Sequence, residues 1–219
     1  MTPRLIIFDC DGVLVDSEPI SNRILAGMLD EIGLPLSVEE TTREFIGLSM
    51  DDCWRIIERR LGRALPADFA KRYDRQLLEE SRRHLRPVPG LPQALERIDR
   101  PLCVASSGSL EKIRNSLELT GLLPRFANRL FSAEEVQHGK PAPDLFVHAA
   151  RRMGAAVDRC VVIEDSARGV RAGVAAGMTV LGYTLRSAPS ELAQAGARCF
   201  DEMRELPELL DAVASSSVG

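Results

Sequence analysis

Five short apolar segments punctuate this sequence, and each is continuous rather than alternating in polarity. Short continuous apolar runs are typical of strands that are buried on both faces of a parallel sheet. The segments are Leu5–Phe8, Leu102–Ala105, Arg129–Phe131, Cys160–Ile163 and Thr179–Leu181. The helical patterns that accompany them are Pro92–Ile98, Leu110–Leu119, Pro143–Met153, Ala167–Ala176 and Glu205–Val213. Strands alternating with helices predict an α/β fold, an open Rossmann-like parallel sheet with helices on both faces.

The stretch from residue 17 to residue 85 breaks this alternation, because its pattern is helical throughout. The helix candidates in it are Ile20–Ile32, Glu39–Phe45, Met50–Leu61 and Pro66–His84. A helical block of this length is far longer than the crossover that usually joins two parallel strands. We therefore predict a core built from residues 1–16 and 86–219, and an inserted all-helical subdomain formed by residues 17–85.

The charge of the chain limits its partners. With 28 basic and 32 acidic residues the formal net charge is −4, which argues against a nucleic-acid binder. The charge is unevenly spread, since residues 55–86 carry ten basic and five acidic side chains, a net charge of +5. This basic stretch is either an ordinary solvated helix face or a field that attracts an anionic substrate.

Hydropathy and cysteine content bear on where the protein works. No apolar stretch approaches the ~18–20 residues that span a bilayer, and Asp9 and Asp11 follow the first apolar run, unlike a signal peptide. We therefore expect a cytoplasmic protein that does not bind membranes. The five cysteines are scattered, which is typical of reduced, buried thiols. Cys10 is a poor candidate nucleophile, because its two acidic neighbours would raise the pKa of the thiol.

Polar residues follow three of the apolar segments, and a fourth polar group precedes a helix. The groups are Asp9-Cys10-Asp11-Gly12, Ser106-Ser107-Gly108-Ser109, Glu164-Asp165-Ser166 and Gly139-Lys140-Pro141. Ligands of open α/β sheets bind beyond the carboxyl ends of the strands, so these groups are expected to meet at one edge. Clustered acids require a neutralising cation, and Mg²⁺ prefers one or two carboxylates together with phosphate oxygens. The sequence therefore predicts a magnesium-dependent phosphoryl-transfer site.

The order of these groups resembles that of the haloacid dehalogenase superfamily over almost the whole chain. Phe8-Asp9-Cys10-Asp11-Gly12-Val13-Leu14 is similar to its first motif, Ser106 to its second, Lys140-Pro141 to its third and Glu164-Asp165 to its fourth. The helical insertion, and Asp16-Ser17-Glu18-Pro19 before it, resemble the capped subgroup that holds β-phosphoglucomutase and phosphoglycolate phosphatase. Among its phosphatases the likeness is greatest to those acting on 6-phosphogluconate.

The resemblance implies a role for each acid. Asp9 would be the nucleophile that forms an aspartyl-phosphate, and Asp11 would protonate the leaving oxygen and then activate water. Mg²⁺ would be held by Asp9, the Asp11 backbone carbonyl and Asp165. Glu164 would either bind the metal through water or support the residues that do.

The resemblance also implies how the phosphoryl group is bound. Its oxygens would meet the Ser106 hydroxyl and the amides of Ser107 and Gly108, while Lys140 would neutralise their growing charge. A cis Lys140–Pro141 bond is expected. We interpret three further glycines as close-packing positions: Gly169, Gly173 and Gly177.

These implications favour a phosphatase for a small phosphorylated metabolite, such as a sugar, sugar-acid or polyol phosphate, acting as a monomer or weak dimer. The main alternative is a β-phosphoglucomutase-like mutase. Two residues argue against it, because in the stretch Gly47-Leu48-Ser49-Met50 the methionine replaces the mutase arginine, and Ser21 stands where its histidine would be. Asp11 argues against dehalogenation, since dehalogenases lack this second acid. A phospho-aspartate receiver is disfavoured, because its aspartate follows a later strand.

Overall fold

The computed structural model describes residues 4–45, 48, 50–126 and 129–215. By its internal packing the chain divides into two compact units, one formed by Met1–Asp16 with Arg86–Gly219 and the other by Ser17–Leu85. We call them the core unit and the helical unit. The six strands all belong to the core unit: β1 Leu5–Phe8, β2 Leu102–Ser106, β3 Leu130–Ser132, β4 Cys160–Glu164, β5 Thr179–Tyr183 and β6 Arg198–Phe200.

The strands form one parallel sheet in the order β3-β2-β1-β4-β5-β6. The open parallel sheet was predicted from the alternating pattern; its order is doubly wound, and β1 lies at its centre. Every residue of β1, β2 and β4 is buried, as continuous apolar runs require. The sheet also places the carboxyl ends of these three strands side by side, since Phe8 pairs with Val104 of β2 and with Ile163 of β4.

Helices cover the sheet of the core unit. They are α5 Leu91–Glu96, α6 Leu110–Leu119, α7 Leu123–Phe126, α8 Asp144–Arg152, α9 Ala167–Ala175, α10 Pro189–Ala195 and α11 Leu206–Ser215. One apolar cluster joins residues of α8 and α9 to those of β1, β2 and β4, and Phe146, Val170 and Val162 in it are fully buried. This cluster fixes the helices whose preceding loops carry the polar groups.

Three elements were absent from the sequence expectations: α7, α10 and β6. Strand β6 is an edge strand in which Arg198 is exposed, Cys199 is partly exposed and Phe200 is buried. Because only one neighbour covers it, it needs no continuous apolar run, and its pattern does not stand out. Strand β3 lies one residue later than predicted, at Leu130–Ser132.

The helical unit contains α1 Glu18–Glu31, α2 Val38–Phe45, α3 Met50–Leu61 and α4 Phe69–His84. The four helices match the four helical patterns of the sequence. Trp54 of α3 makes edge-to-face contacts with the rings of Phe69 and Tyr73, at 5.6 and 5.4 Å between centroids. The Tyr73 hydroxyl also hydrogen-bonds Ser21 of α1, so aromatic packing and one partly buried polar contact join three helices.

Candidate active site

The nucleophile candidate, Asp9, directly follows the central strand. Its backbone N–H donates to the carbonyl of Ile163 at 2.9 Å, which ties it to the neighbouring strand β4. Asp9 and Ser106 therefore lie at the same edge of the sheet as Glu164, as the sequence predicted. All three residues are at least nine-tenths buried.

Lys140 is the cation at the centre of this edge. Its Nζ donates to Asp9 Oδ1 at 2.6 Å, to Glu164 Oε1 at 2.7 Å and to the Ala105 carbonyl at 3.1 Å. Its side chain is only 5% exposed. The peptide bond from Lys140 to the following residue, Pro141, is cis, as expected.

Burial and the contacts among Lys140, Asp9 and Glu164 shift the pKa values of Asp9 and Lys140. Burial raises the pKa of Asp9 to about 7; the ammonium of Lys140 opposes that rise and the carboxylate of Glu164 adds to it. Burial alone would lower the pKa of Lys140, but the two carboxylates outweigh it and raise that pKa above its ordinary value. Lys140 is therefore held in its charged form as the counter-ion of two buried acids.

Glu164 is held on every side by protein donors. Its Oε2 accepts from the backbone N–H groups of Asp165 and Ser166, at 3.0 and 2.9 Å, and from the Ser166 hydroxyl at 2.9 Å. Gly169 makes the room for this carboxylate, since a Cβ at that position would lie 1.7 Å from Glu164 Oε1. Both carboxylate oxygens of Glu164 thus have protein partners.

Three carboxylates at this edge could hold a metal ion. One oxygen each from Asp9, Glu164 and Asp165 lies within 4.8 Å of the others. With all three ionised and Lys140 charged, the cluster carries a net charge of −2, which a divalent cation would balance. Gly12 leaves space for the Asp165 carboxylate, because a Cβ there would lie 1.9 Å from its Oδ2. Hard carboxylate oxygens in a buried acidic cluster fit Mg²⁺.

The loop after β2 supplies hydrogen-bond donors. Ser106 is buried and Ser107 is exposed, and the Ser106 hydroxyl accepts from the Gly108 N–H at 3.2 Å. Helix α6 begins directly after this loop, so its N-terminal dipole favours an anion here. The Gly108 carbonyl oxygen would repel an anion, but it is occupied by a hydrogen bond that the buried Ser132 hydroxyl donates at 2.7 Å.

Asp11 makes a contact that the sequence did not reveal. Its Oδ2 accepts from Nζ of Lys112, at 2.7 Å, and the two side chains are 32% and 44% exposed. Lys112 lies in the first turn of α6, six residues after Ser106. A lysine at the start of a helix that follows a predicted phosphate loop is the signal that could have identified it.

Two other expectations concern residues near the site. The Cys10 thiol is free, and its pKa is raised by burial and further by the carboxylates of Asp11 and Asp9, which agrees with its dismissal as a nucleophile. The glycine interpretation holds for Gly173, where a Cβ would lie 2.7 Å from Val180. It is wrong for Gly177, which has open space around it and instead adopts a positive φ of 75° after α9.

The mutase-specific positions lie in the helical unit. Ser21 hydrogen-bonds Tyr73, and Met50 begins α3. Gly47 and Ser49 lie outside the described residues.

Comparison with known proteins identifies the family of the chain. The model of the haloacid dehalogenase-like hydrolase family matches residues 3–177. The chain is 32% identical over 205 residues to the 6-phosphogluconate phosphatase of Escherichia coli K12, with 93% of both chains covered. It is 31% identical over 198 residues to hexitol phosphatase B of the same organism, covering 81% of this chain and 83% of that one.

A solved structure is similar in fold as well as in sequence. It is a haloacid dehalogenase-like protein of unknown function from Agrobacterium tumefaciens C58, 36% identical, with a TM-score of 0.87 over 96% of this chain and 99% of that one. Among the residues that the structure describes, no helix is both long and apolar enough to cross a membrane.

The family match and the two relatives from Escherichia coli show that the chain belongs to the haloacid dehalogenase-like hydrolase family and that, like those relatives, it is a phosphatase.

Proposed function

We propose that this phosphatase hydrolyses a small sugar, sugar-acid or polyol phosphate, with Mg²⁺, through an aspartyl-phosphate on Asp9. The observation that carries the proposal is the position of the Asp9 carboxylate. It follows the central strand, contacts Lys140 at 2.6 Å and belongs to a cluster of three acids. A carboxylate fixed in this way can act as a nucleophile at phosphorus.

The reaction takes two displacements. In the first, an oxygen of Asp9 attacks phosphorus, the ester P–O bond breaks, and Asp11 donates a proton to the departing sugar oxygen. In the second, Asp11 takes a proton from water, whose oxygen attacks phosphorus and displaces Asp9 as a free carboxylate. Inorganic phosphate leaves and both acids return to their initial states.

The remaining residues bind and orient. Ser106 and the amide groups after it would hold the phosphoryl oxygens near the start of α6. Asp9, Asp165 and the Asp11 backbone carbonyl would hold Mg²⁺. The bound metal supplies positive charge for the phosphoryl oxygens. Glu164 keeps Lys140 in place, since it contacts the ammonium at 2.7 Å, and this contact fits a supporting role.

The substrate class rests on two supports. The first is the names of the relatives, which denote phosphatases for 6-phosphogluconate and for hexitol phosphates. The second is the helical unit, which is inserted between β1 and β2, where the capped subgroup that the sequence resembles carries its insertion. We assign to this unit the selection of the substrate, because segments inserted around a common fold carry the specificity of the sites built on it.

The test is release of inorganic phosphate from a panel of sugar, sugar-acid and polyol phosphates. We expect activity with Mg²⁺, none after EDTA treatment, and recovery when Mg²⁺ is restored. Asp9→Asn should reduce turnover by at least about a thousandfold, because an amide cannot form the acyl-phosphate. Asp158→Asn is the matched control, since Asp158 is an exposed acid before β4 and should leave turnover unchanged.

Two results would contradict the proposal. Undiminished turnover by Asp9→Asn would show that Asp9 is not the nucleophile. Interconversion of sugar phosphates with a bisphosphate activator, without phosphate release, would identify a mutase instead.

A further inference from the structure

The turn after β3 is attached to the loop that the proposed function assigns to the phosphoryl group. Ser132, the last residue of β3, is fully buried, and its hydroxyl donates to the Gly108 carbonyl at 2.7 Å. Glu134 lies in the short 3-10 turn that follows β3, and its Oε2 accepts from the Leu110 N–H at 3.4 Å. These two contacts lie on either side of Ser109, whose hydroxyl caps the start of α6. The turn therefore fixes the loop at the point where α6 begins.

The contact from Ser132 controls the orientation of one peptide group in this loop. The Gly108 carbonyl and the Ser109 N–H belong to the same planar peptide group and point in opposite directions. Because glycine has no Cβ to restrict its backbone, this peptide group could otherwise turn and present its carbonyl oxygen to a bound anion. A carbonyl oxygen repels a phosphoryl oxygen, whereas an N–H stabilises it. Ser132 prevents that turn by keeping the carbonyl bound to its own hydroxyl.

Glu135 in turn holds Ser132. The two residues form a capping box, in which Glu135 Oε1 accepts from the Ser132 N–H at 2.8 Å and Ser132 Oγ accepts from the Glu134 N–H at 3.1 Å. The hydroxyl oxygen thus receives a hydrogen bond, and its own proton is left for the Gly108 carbonyl. The other carboxylate oxygen of Glu135 contacts Nε2 of His148, on α8, at 3.3 Å. A chain of contacts therefore runs from α8 through Glu135 and Ser132 to the loop after β2.

We infer that Ser132 and Glu135 are positioning residues for phosphate binding. The carboxylate of Glu135 fixes Ser132, and the hydroxyl of Ser132 fixes the peptide group between Gly108 and Ser109. The inference rests on the proposed function, since it takes the loop at Ser106 as the phosphate site. Neither positioning residue belongs to the four polar groups from which the sequence predicts that site.

The test measures the affinity of inorganic phosphate by calorimetry with Mg²⁺ present, together with KM and kcat for an ester that the wild type hydrolyses. Ser132→Ala should weaken phosphate binding about fivefold and raise KM similarly, which is the effect of one ordinary hydrogen bond. The kcat should change little, because the lost interaction serves bound substrate and transition state alike. Glu135→Ala should have a smaller effect of the same kind. Glu135→Gln should lie between it and the wild type, because an amide oxygen accepts more weakly than a carboxylate.

A double variant distinguishes positioning from general support of the fold. If Glu135 acts through the Ser132 hydroxyl, Glu135→Ala should weaken phosphate binding no further once Ser132→Ala is present, so the two effects should not add. The matched control is Glu40→Ala, because Glu40 forms the same kind of capping box with Ser37 at the start of α2, where its carboxylate accepts from the Ser37 N–H at 2.8 Å. The control should lose stability in urea unfolding, as Glu135→Ala does, but bind phosphate as the wild type does.

Three results would overturn the inference. They are wild-type phosphate affinity in either single variant, additive effects of Ser132→Ala and Glu135→Ala, and equal weakening by Glu40→Ala. If the wild type hydrolyses esters and one of these results is found, the proposed function survives without the positioning role. If no ester is hydrolysed while Ser132→Ala still weakens phosphate binding, the proposed function fails and the positioning role stands.

Discussion

Gly169→Ala tests whether Glu164 is confined as the structure shows. A Cβ at this position would lie 1.7, 1.9 and 2.4 Å from the three atoms of the Glu164 carboxylate, so the two groups cannot coexist. The end of a glutamate is usually free to swing aside. Here it is 1% exposed and bound by Lys140 on one oxygen and by three donors on the other. Displacement would therefore break a buried ion pair.

The magnitude follows from two opposing contributions. Breaking a buried ion pair costs about 3–5 kcal/mol, because it leaves charges without partners. Alanine in a helix interior is favoured over glycine by about 1 kcal/mol. Gly169→Ala should therefore lower the free energy of unfolding by about 2–4 kcal/mol. Turnover should fall as well, since Glu164 helps hold Lys140 against Asp9.

The assay is urea unfolding followed by far-UV circular dichroism, together with phosphate release. Gly27→Ala is the matched control, because Gly27 lies inside α1 with nothing within 4 Å of the added Cβ. The control should gain about 1 kcal/mol and keep wild-type activity. If Gly169→Ala were as stable and as active as Gly27→Ala, the confinement of Glu164 would be refuted.

Three further expectations concern hydrogen bonds and thiols. Ser132→Ala should cost about 1–3 kcal/mol and raise KM, because the Gly108 carbonyl loses its donor; unchanged KM would separate Ser132 from the phosphate loop. Glu40→Gln should destabilise α2, because it removes the carboxylate that accepts from the Ser37 N–H. Because the Ser37 N–H lowers the pKa of Glu40, that carboxylate's contribution is present at neutral pH and lost as the pH falls through its folded pKa. The stability difference should therefore shrink in acid, and a constant difference in unfolding curves would contradict this. Iodoacetamide should alkylate the native protein slowly and first at Cys199, since burial raises the pKa of every thiol and Cys199 is partly exposed; mass spectrometry showing rapid labelling of Cys10 would oppose this.

The sheet and the ends of its central strands were predictable from local pattern. Fully buried strands need continuous apolar runs, and a parallel sheet brings the residues after them to one edge, which is why Asp9, Ser106 and Glu164 could be placed together. Lys140 could be added because its loop precedes a clear helical pattern.

The contacts between individual side chains were harder to predict from the sequence. The contact between Lys112 and Asp11 joins residues 101 positions apart, and it depends on the path of one side chain over a glycine. The hydrogen bond from Ser132 to Gly108 likewise depends on the register of β3 beside β2, and a strand of three residues has too short a sequence pattern to predict that register. Polarity patterns in the sequence indicate where strands end, whereas the hydrogen-bond partners of side chains depend on how the folded chain packs.

The way the chain leaves and re-enters the core unit has an evolutionary consequence. Val15 and Pro87 form an antiparallel bridge, the Val88 N–H donates to Leu14 and the Asp16 N–H donates to Arg86, both at 3.0 Å. The two ends of the insertion are thus joined by the core's own backbone. Any segment whose termini lie close together could be grafted there at a loop-closure cost that grows only slowly with its length. Such a junction lets recombination exchange the helical unit, and with it the substrate selection proposed for that unit, while the residues proposed to act on phosphorus are inherited unchanged.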